Sequence, residues 1–240
     1  MLKRAIIKFV RKLGLDLLRY TPENSNVARM QRIFSYHHIN LVLDVGANIG
    51  QYAKSLREIG YTGKIVSFEP LSSAYAQLTA ASGKDPLWEV APRAAIGDRD
   101  GEITINISKN SVSSSVLPML APHLKAAPDS GYVDSEMVSL YKLDSLAYKY
   151  IDYSSRSVYL KMDVQGFELQ VLEGASKTLP MIKGIQLEMS LIPLYEGEPV
   201  FKDMLGKLEQ LGYELYALIP GFTDGKTGRL LQLDGIFFLK

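Results

Sequence analysis

The sequence predicts an α/β protein built on a mostly parallel sheet that helices cover on both faces. Short apolar runs such as Leu41–Val45 alternate with helical patterns along most of the chain. Continuous apolar runs of this length are typical of strands that are buried on both faces. Near the carboxyl terminus, runs over 213–219 and 233–239 are separated by turn residues. This hairpin-like pair predicts an antiparallel last strand.

The same patterns place the individual elements. Strands are predicted over 41–45, 64–68, 87–91, 103–107, 158–164, 184–189, 213–219 and 233–239, and helices over 26–38, 50–59, 71–82, 167–178 and 200–211. Strands that alternate with helices are typical of parallel sheets. Residues 97–140 break this alternation with turn residues, a serine-rich stretch and three prolines, so they are predicted to form an irregular insertion. Long loops in compact domains often cover binding sites.

Length and composition restrict the class of protein. A chain of 240 residues fits one large domain, predicted over 26–240. The net charge of +1 does not favour a nucleic acid as partner. The absence of cysteine excludes disulfides and a thiolate nucleophile, and it fits a cytoplasmic location. No run approaches the ~20 apolar residues that a membrane span needs.

Residues 1–25 are predicted to form a separate basic amphipathic helix. Residues 1–20 contain six basic residues and one acidic residue, a net charge of +5, whereas the remaining chain carries −4. Their apolar residues fall at helical spacing: Leu2, Ile6, Phe9, Val10, Leu13 and Leu17. Such a helix suits peripheral contact with an anionic membrane surface. The alternatives are packing against the fold and packing in a homo-oligomer.

The strongest local motif joins the first strand to the following helix. The segment Asp44–Gly50 reads Asp-Val-Gly-Ala-Asn-Ile-Gly. Ligands of open α/β sheets bind at the carboxyl ends of strands. Gly46 and Gly50 permit unusual backbone angles and close approach to a ligand, and the helix amino terminus favours an anion. Asn48 replaces the middle glycine of the dinucleotide fingerprint. The alternative is a structural turn.

A second motif ends the second predicted strand. Glu69 lies 19 residues after Gly50, followed by Pro70. A carboxylate in this position accepts hydrogen bonds from both ribose hydroxyls of a nucleotide and repels a 2′-phosphate. Glu69 therefore disfavours NADP, but it permits an NAD-linked oxidoreductase as an alternative function.

The third motif, Lys161–Glu168, again joins a strand to a helix. Asp163 is expected at the carboxyl end of a central strand, where a carboxylate assists a hydroxyl that loses its proton during reaction. An ion pair with Lys161 is the structural alternative. Glu188, late in the next strand, offers further oxygen ligands for a divalent cation together with Asp163. Two carboxylates do not define a metal site, so metal dependence stays open.

In chain order, these motifs resemble the FkbM family of methyltransferases over residues 26–240. The resemblance rests on Asp44–Gly50, Phe68–Pro70, Ala95–Asp98, Ser113–Ser115, Leu143–Leu146, Lys161–Glu168 and Val171–Ala175. It implies a Rossmann-like class I methyltransferase fold with a seven-stranded, mostly parallel sheet. It also implies S-adenosylmethionine as cofactor and O-methylation of a sugar or another natural-product or glycan hydroxyl. A related module that binds without turnover is a further alternative.

The resemblance assigns roles to individual residues. Cofactor binding is expected from Asp44, Gly46, Ala47, Asn48, Gly50, Glu69, Pro70 and Ala95, with the cofactor carboxylate at the helix start and its ammonium near Asp44. Asp163 is the expected catalytic residue. The acceptor is expected to contact Ser113, Ser114, Ser115 and Glu188. Many family members carry Glu where this chain has Gln165, which weakens any mechanism that needs a carboxylate there. His123 is expected to be a solvated loop residue.

Overall fold

A computed structural model describes residues 2–240. Within these residues the chain forms a seven-stranded sheet, a smaller three-stranded sheet and flanking helices. The helices are α1 (Leu2–Lys12), α2 (Asn26–Tyr36), α3 (Gln51–Glu58), α4 (Ser72–Ser82), α5 (Ala121–Ala126), α6 (Leu143–Leu146), α7 (Glu168–Glu173) and α8 (Phe201–Gln210). The strands are β1 (Leu41–Val45), β2 (Lys64–Phe68), β3 (Trp88–Val90), β4 (Ala95–Gly97), β5 (Gly101–Ser108), β6 (Tyr132–Lys142), β7 (Val158–Met162), β8 (Ile182–Ser190), β9 (Tyr213–Pro220) and β10 (Gln232–Leu239).

The large sheet has the order β3-β2-β1-β7-β8-β10-β9. Its strands run parallel except β10, which pairs antiparallel with both β8 and β9. The antiparallel strand and the mostly parallel sheet that the sequence predicts are therefore confirmed. Because β1 and β7 are neighbours, the turns that follow them meet at the centre of one sheet edge.

Two apolar cores lie on opposite faces of this sheet. Alternate residues of β1 divide between them: Leu43 belongs to the core beneath α6, α7 and α8, whereas Val42 belongs to the core beneath α2 and α3. Both side chains are fully buried. Burial on both faces explains why every residue of β1 except Asp44 is apolar, and it fixes the turn after β1 between the two helical layers.

The insertion at 97–140 is more regular than the sequence predicts. Strands β4, β6 and β5 form a second sheet, with β5 and β6 antiparallel over most of their length. The sequence predicts β5 but not β6, because the first half of β6 is mostly exposed and contains the polar residues Asp134, Ser135 and Glu136. The irregular part is confined to residues 109–131, which contain α5.

Two predicted helices are shorter than expected. The helix predicted over 167–178 ends at Glu173, and the next residue, Gly174, packs so closely on Gly97 that a Cβ atom would lie 1.8 Å from the Gly97 carbonyl oxygen. The Asp144 carboxylate then holds the following turn by accepting from the backbone N–H groups of residues 177 and 178. The predicted amino-terminal helix ends at Lys12, before Gly14 with its φ of +75°. Met1 lies outside the described residues.

Candidate active site

A cavity of about 440 Å³ opens at the carboxyl ends of β1, β2, β7 and β8. This volume lies within the usual range for small-molecule sites. Of the residues predicted to form the site, the cavity lining contains Gly46, Ala47, Asn48, Glu69, Pro70, Ala95, Ser114, Ser115, Asp163 and Glu188. Three predicted site residues are not among those that line the cavity: Asp44, Gly50 and Ser113. The structure therefore brings most of the predicted cofactor, acceptor and catalytic residues to one cavity.

The two glycines after β1 are required by packing within the protein. Gly46 has a φ of +78°, and a Cβ atom there would lie 2.0 Å from the backbone oxygen of Asp163. Gly50 has a φ of +85°, and its Cβ would lie 2.5 Å from the Trp88 ring. The first glycine thus lets the turn after β1 touch the turn after β7. This contact positions both motifs around one cavity.

Glu69 faces the cavity from the end of β2. Its Oε2 accepts from the backbone N–H of Asn48 at 2.8 Å, and its Oε1 accepts from the N–H of Leu71 at 2.9 Å. Burial raises the pKa of Glu69 to about 7, although these two donors oppose that shift. Each oxygen keeps a second acceptor position. The carboxylate is therefore fixed in place and able to accept from hydroxyl donors of a ligand.

Asp44 lies beneath the cavity and not in its wall. The side chain is fully buried, and its Oδ2 accepts from the Ser67 hydroxyl at 3.2 Å. Burial raises the pKa of Asp44, while Lys161, 3.7 Å from Oδ1, opposes that rise. Among the described residues, Oδ1 has no hydrogen-bond partner. The predicted contact of Asp44 with a cofactor ammonium, directly or through water, stays a prediction.

Lys161 is the cation at the centre of the site. Its Nζ lies 3.3 Å from Asp163 Oδ2, so the ion pair expected from the sequence is present. Burial alone would lower the pKa of Lys161, but Asp163, Asp44 and Asp234 together raise it above the ordinary value. The lysine therefore remains charged, and it stabilises the ionised form of the carboxylates around it.

A second group of polar side chains surrounds Glu188. The Nε2 atom of Gln165 lies 2.7 Å from both Asp163 Oδ1 and Glu188 Oε2, and Gln232 donates to the same Glu188 oxygen at 2.9 Å. Asp234 is the register partner of Glu188 across β8 and β10. Burial, followed by repulsion from Asp163 and Asp234, raises the pKa of Glu188 well above its usual value.

The sequence analysis missed part of this group. It noted Gln165 only as a departure from the family, and it did not single out Gln232 or Asp234. A signal was available, because Gln232 and Asp234 are polar residues two apart in the otherwise apolar strand β10. Alternate residues of a strand share one face, so both point to the same side of the sheet.

The serine loop forms one wall of the cavity. Ser115 donates to the backbone oxygen of Gln165 at 2.6 Å, and Ser114 donates to the backbone oxygen of Ser111 at 2.7 Å. Ser113 is buried, and its hydroxyl accepts from Asn110 at 3.0 Å. The Ser115 hydroxyl holds the loop against the turn after β7, whereas the hydroxyls of Ser113 and Ser114 make contacts within the loop. Their predicted contact with an acceptor stays a prediction.

The expectation of a solvated His123 is wrong. The side chain is buried, with its ring centroid 5.2 Å from the rings of both Tyr195 and Phe222. Burial lowers the pKa of His123 to about 4. The proline-rich segment around α5 therefore packs on the loop after β8 instead of extending into solvent, and this histidine is a packing residue.

Within residues 2–240, no group of three or more histidine, aspartate or glutamate side chains is arranged to hold a metal ion. Asp163 and Glu188 share one amide donor, Gln165. Metal dependence accordingly stays open.

The strand order and the single antiparallel strand define a class I methyltransferase fold, as the sequence predicts. The family model described as the methyltransferase FkbM domain matches residues 44–215. The chain belongs to the FkbM methyltransferase family. This match confirms the resemblance inferred from the motifs.

Similar proteins include the 2-O-methyltransferase NoeI of Sinorhizobium fredii. The two chains are 27% identical over 194 residues, which cover 77% of this chain and 76% of NoeI. Among solved structures, TehB from Haemophilus influenzae aligns with a TM-score of 0.48 at 11% identity, covering 90% of this chain and 62% of TehB. The methyltransferase domain of bacterial CtHen1 aligns with a TM-score of 0.47 at 10% identity, covering 89% and 97%.

Proposed function

We propose that the protein transfers a methyl group from S-adenosylmethionine to a hydroxyl oxygen of a sugar or another polyhydroxylated acceptor. Family membership supports methyl transfer, and the similarity to a 2-O-methyltransferase supports an oxygen acceptor. The observation that carries the proposal is one cavity with a fixed carboxylate, Glu69, at the end of β2 and the Asp163–Glu188 pair at the ends of β7 and β8.

The residues present fit the cofactor. Glu69 is positioned to accept from ribose hydroxyls, and the turn from Gly46 to Gly50 leads into the amino terminus of α3, which favours the cofactor carboxylate. When bound, S-adenosylmethionine supplies a methyl group that its sulfonium makes electrophilic. Among the described residues, the three carboxylates of Asp44, Asp163 and Asp234 surround Lys161 and outnumber this one cation. This excess of negative charge suits a cationic ligand.

The chain's own residues supply a proton acceptor. Asp163 is held on both oxygens, by Lys161 and by Gln165. Glu188 receives both its amide donors on Oε2, and among the described residues no donor lies against Oε1. We therefore assign Glu188 as the acceptor of the hydroxyl proton and Asp163 as the residue that contacts and orients the hydroxyl. A positioned base of this kind contributes about 10²–10⁴-fold to a rate.

The sequence leaves two alternative functions open. Membership of a methyltransferase family disfavours the NAD-linked oxidoreductase that Glu69 permits. A module that binds the cofactor without turnover would keep the cavity and Glu69 but would not need a proton acceptor. The Asp163–Glu188 pair, which Gln165 bridges, supplies such an acceptor and therefore favours an enzyme over a binding module.

The experiment is a methyl-transfer assay with isotopically labelled S-adenosylmethionine and a panel of free and glycosidic sugars. Labelled products are then analysed by mass spectrometry and NMR. A new methyl ether on a hydroxyl supports the proposal. A methylated nitrogen or carbon contradicts the oxygen acceptor. A protein that binds the cofactor but labels no acceptor supports the binding module.

A further inference from the structure

The segment that precedes the methyltransferase domain exposes many large apolar side chains. Seven of them lie between residues 6 and 20, each with 47–66% of its surface exposed: Ile6, Phe9, Leu13, Leu15, Leu17, Leu18 and Tyr20. Single exposed apolar residues are ordinary, but a contiguous group marks an interaction surface. This apolar segment, residues 6–20, takes no part in the cofactor cavity.

The first part of the segment is an amphipathic helix. Along α1, Ile6 and Phe9 follow one another at a spacing of three residues, and Leu13 continues this face just beyond the helix end. The basic residues Arg4, Lys8, Arg11 and Lys12 lie on the opposite side of the helix. Arg11 alone is engaged within the described segment, in an exposed ion pair with Asp16 at 3.1 Å.

Charge decides between the candidate partners of this apolar face. Residues 1–20 carry a net charge of +5, opposite in sign to the −4 of the remaining chain. Two copies of this segment, paired through their apolar faces, would each carry a net charge of +5, and this repulsion opposes self-association. An anionic lipid surface accepts the apolar face and attracts the basic face at the same time.

We propose that α1 and the apolar segment bind the surface of an anionic lipid bilayer. The helix lies in the interface and does not cross it, since α1 has 11 residues and a membrane span needs ~20. In the part of the chain that the structure describes, no helix is long and apolar enough to cross a membrane. The apolar side chains enter the region between the headgroups and the acyl chains, while the basic side chains remain among the headgroups.

The test is flotation of the full chain with phosphatidylcholine vesicles, prepared with and without phosphatidylserine. The wild-type protein should float with the anionic vesicles and remain largely at the bottom with the neutral ones. High salt should weaken this binding, because it screens the basic residues. The double variant Phe9→Asp/Leu13→Asp and the charge variant Lys8→Glu/Lys12→Glu should each reduce the bound fraction at least about tenfold.

The matched control is Met137→Asp, which places the same charge on an exposed apolar side chain of β6. This variant should float like the wild type. All variants should keep the wild-type thermal unfolding midpoint, because the substituted side chains lie outside the core. A wild-type chain that stays at the bottom with anionic vesicles would overturn the proposal. So would a dimer that the Phe9→Asp/Leu13→Asp variant dissociates while neither form binds vesicles.

Discussion

The side-chain amide of Gln165 lies 2.7 Å from the carboxylate of Glu188, and it bridges this carboxylate to Asp163. The Tyr195 hydroxyl donates to Oε1 of Gln165 at 2.7 Å, which leaves the amide N–H₂ group directed at the two carboxylates. Gln165 therefore separates two acids that would otherwise repel one another. A glutamate at this position would remove the donor and add a third carboxylate.

We predict that Glu188→Gln lowers kcat by about 10²–10⁴-fold, the contribution expected of a positioned base. Cofactor affinity should change by less than about threefold, because Glu188 serves the acceptor side of the cavity. Single-turnover kinetics and calorimetric titration separate the two quantities. The control is Glu196→Gln, an exposed residue in the loop after β8, which should behave like wild type. Unchanged turnover in Glu188→Gln would remove Glu188 from the proposed mechanism.

We predict that Gln165→Glu moves the rising limb of the pH–kcat profile to higher pH by about one unit or more, since a further carboxylate raises the pKa of its neighbours. Only ionised Glu188 accepts a proton, so activity is lost as pH falls through its pKa. Gln77→Glu, which makes the same charge change on the exposed face of α4, should leave the profile in place. A Gln165→Glu profile that coincides with the wild-type profile would contradict the bridging role.

We predict that cofactor binding releases a proton below pH 7. Burial raises the pKa of free Glu69 to about 7, and hydroxyl donors from a ribose favour the ionised form, which lowers this pKa in the complex. Affinity should therefore fall as pH falls through 7 and should level off above it. Calorimetry in two buffers of different ionisation enthalpy measures the release.

The variant Glu69→Gln should bind without this proton release. Glu69→Ala should lose about 10–100-fold in affinity, the value of a hydrogen bond to a charged group. Proton release that persists in Glu69→Gln would assign the titration to another group.

We predict that Gly46→Ala destabilises the fold by roughly 3 kcal/mol or more, because its Cβ would overlap the Asp163 backbone. Gly60→Ala is the matched control, since Gly60 also has a positive φ, +86°, but has open space around its Cβ position. The control should lose only about 1–2 kcal/mol, the cost of the left-handed conformation. Urea unfolding followed by circular dichroism measures the free energy of unfolding of both variants. Equal losses of stability would show that the close approach of Gly46 to Asp163 does not contribute to the effect.

Much of the fold is predictable from the sequence, because many strands and turns are marked by patterns of neighbouring residues. Strand β1 is buried on both faces, so its apolar run marks both of its ends, and Gly46 and Asn48 mark the turn that follows. Strand β6 escaped prediction because its polar first half lies on an exposed surface. The close packing of Gly174 on Gly97 just after α7 joins residues that are far apart in the chain, so no local pattern predicts it.

In the site, too, local patterns are predictable and contacts between distant parts of the chain are not. Glu69 follows one predicted strand and Asp163 lies at the carboxyl end of another, so the sequence places both at the correct sheet edge. The alternation in β10 places Gln232 and Asp234 on one face, but it does not place them beside Glu188, because that contact depends on the register of β8 with β10. No local pattern fixes that register. Burial of His123 likewise depends on the packing of its loop on Tyr195 and Phe222.

The most direct test of the central proposal is calorimetric titration of the purified chain with S-adenosylmethionine, S-adenosylhomocysteine and NAD. We predict saturable 1:1 binding of the first two, retained in Glu188→Gln and weakened in Glu69→Ala, and no binding of NAD. Binding of NAD alone, or equal binding of S-adenosylmethionine by wild type and Glu69→Ala, would contradict the proposed cofactor site.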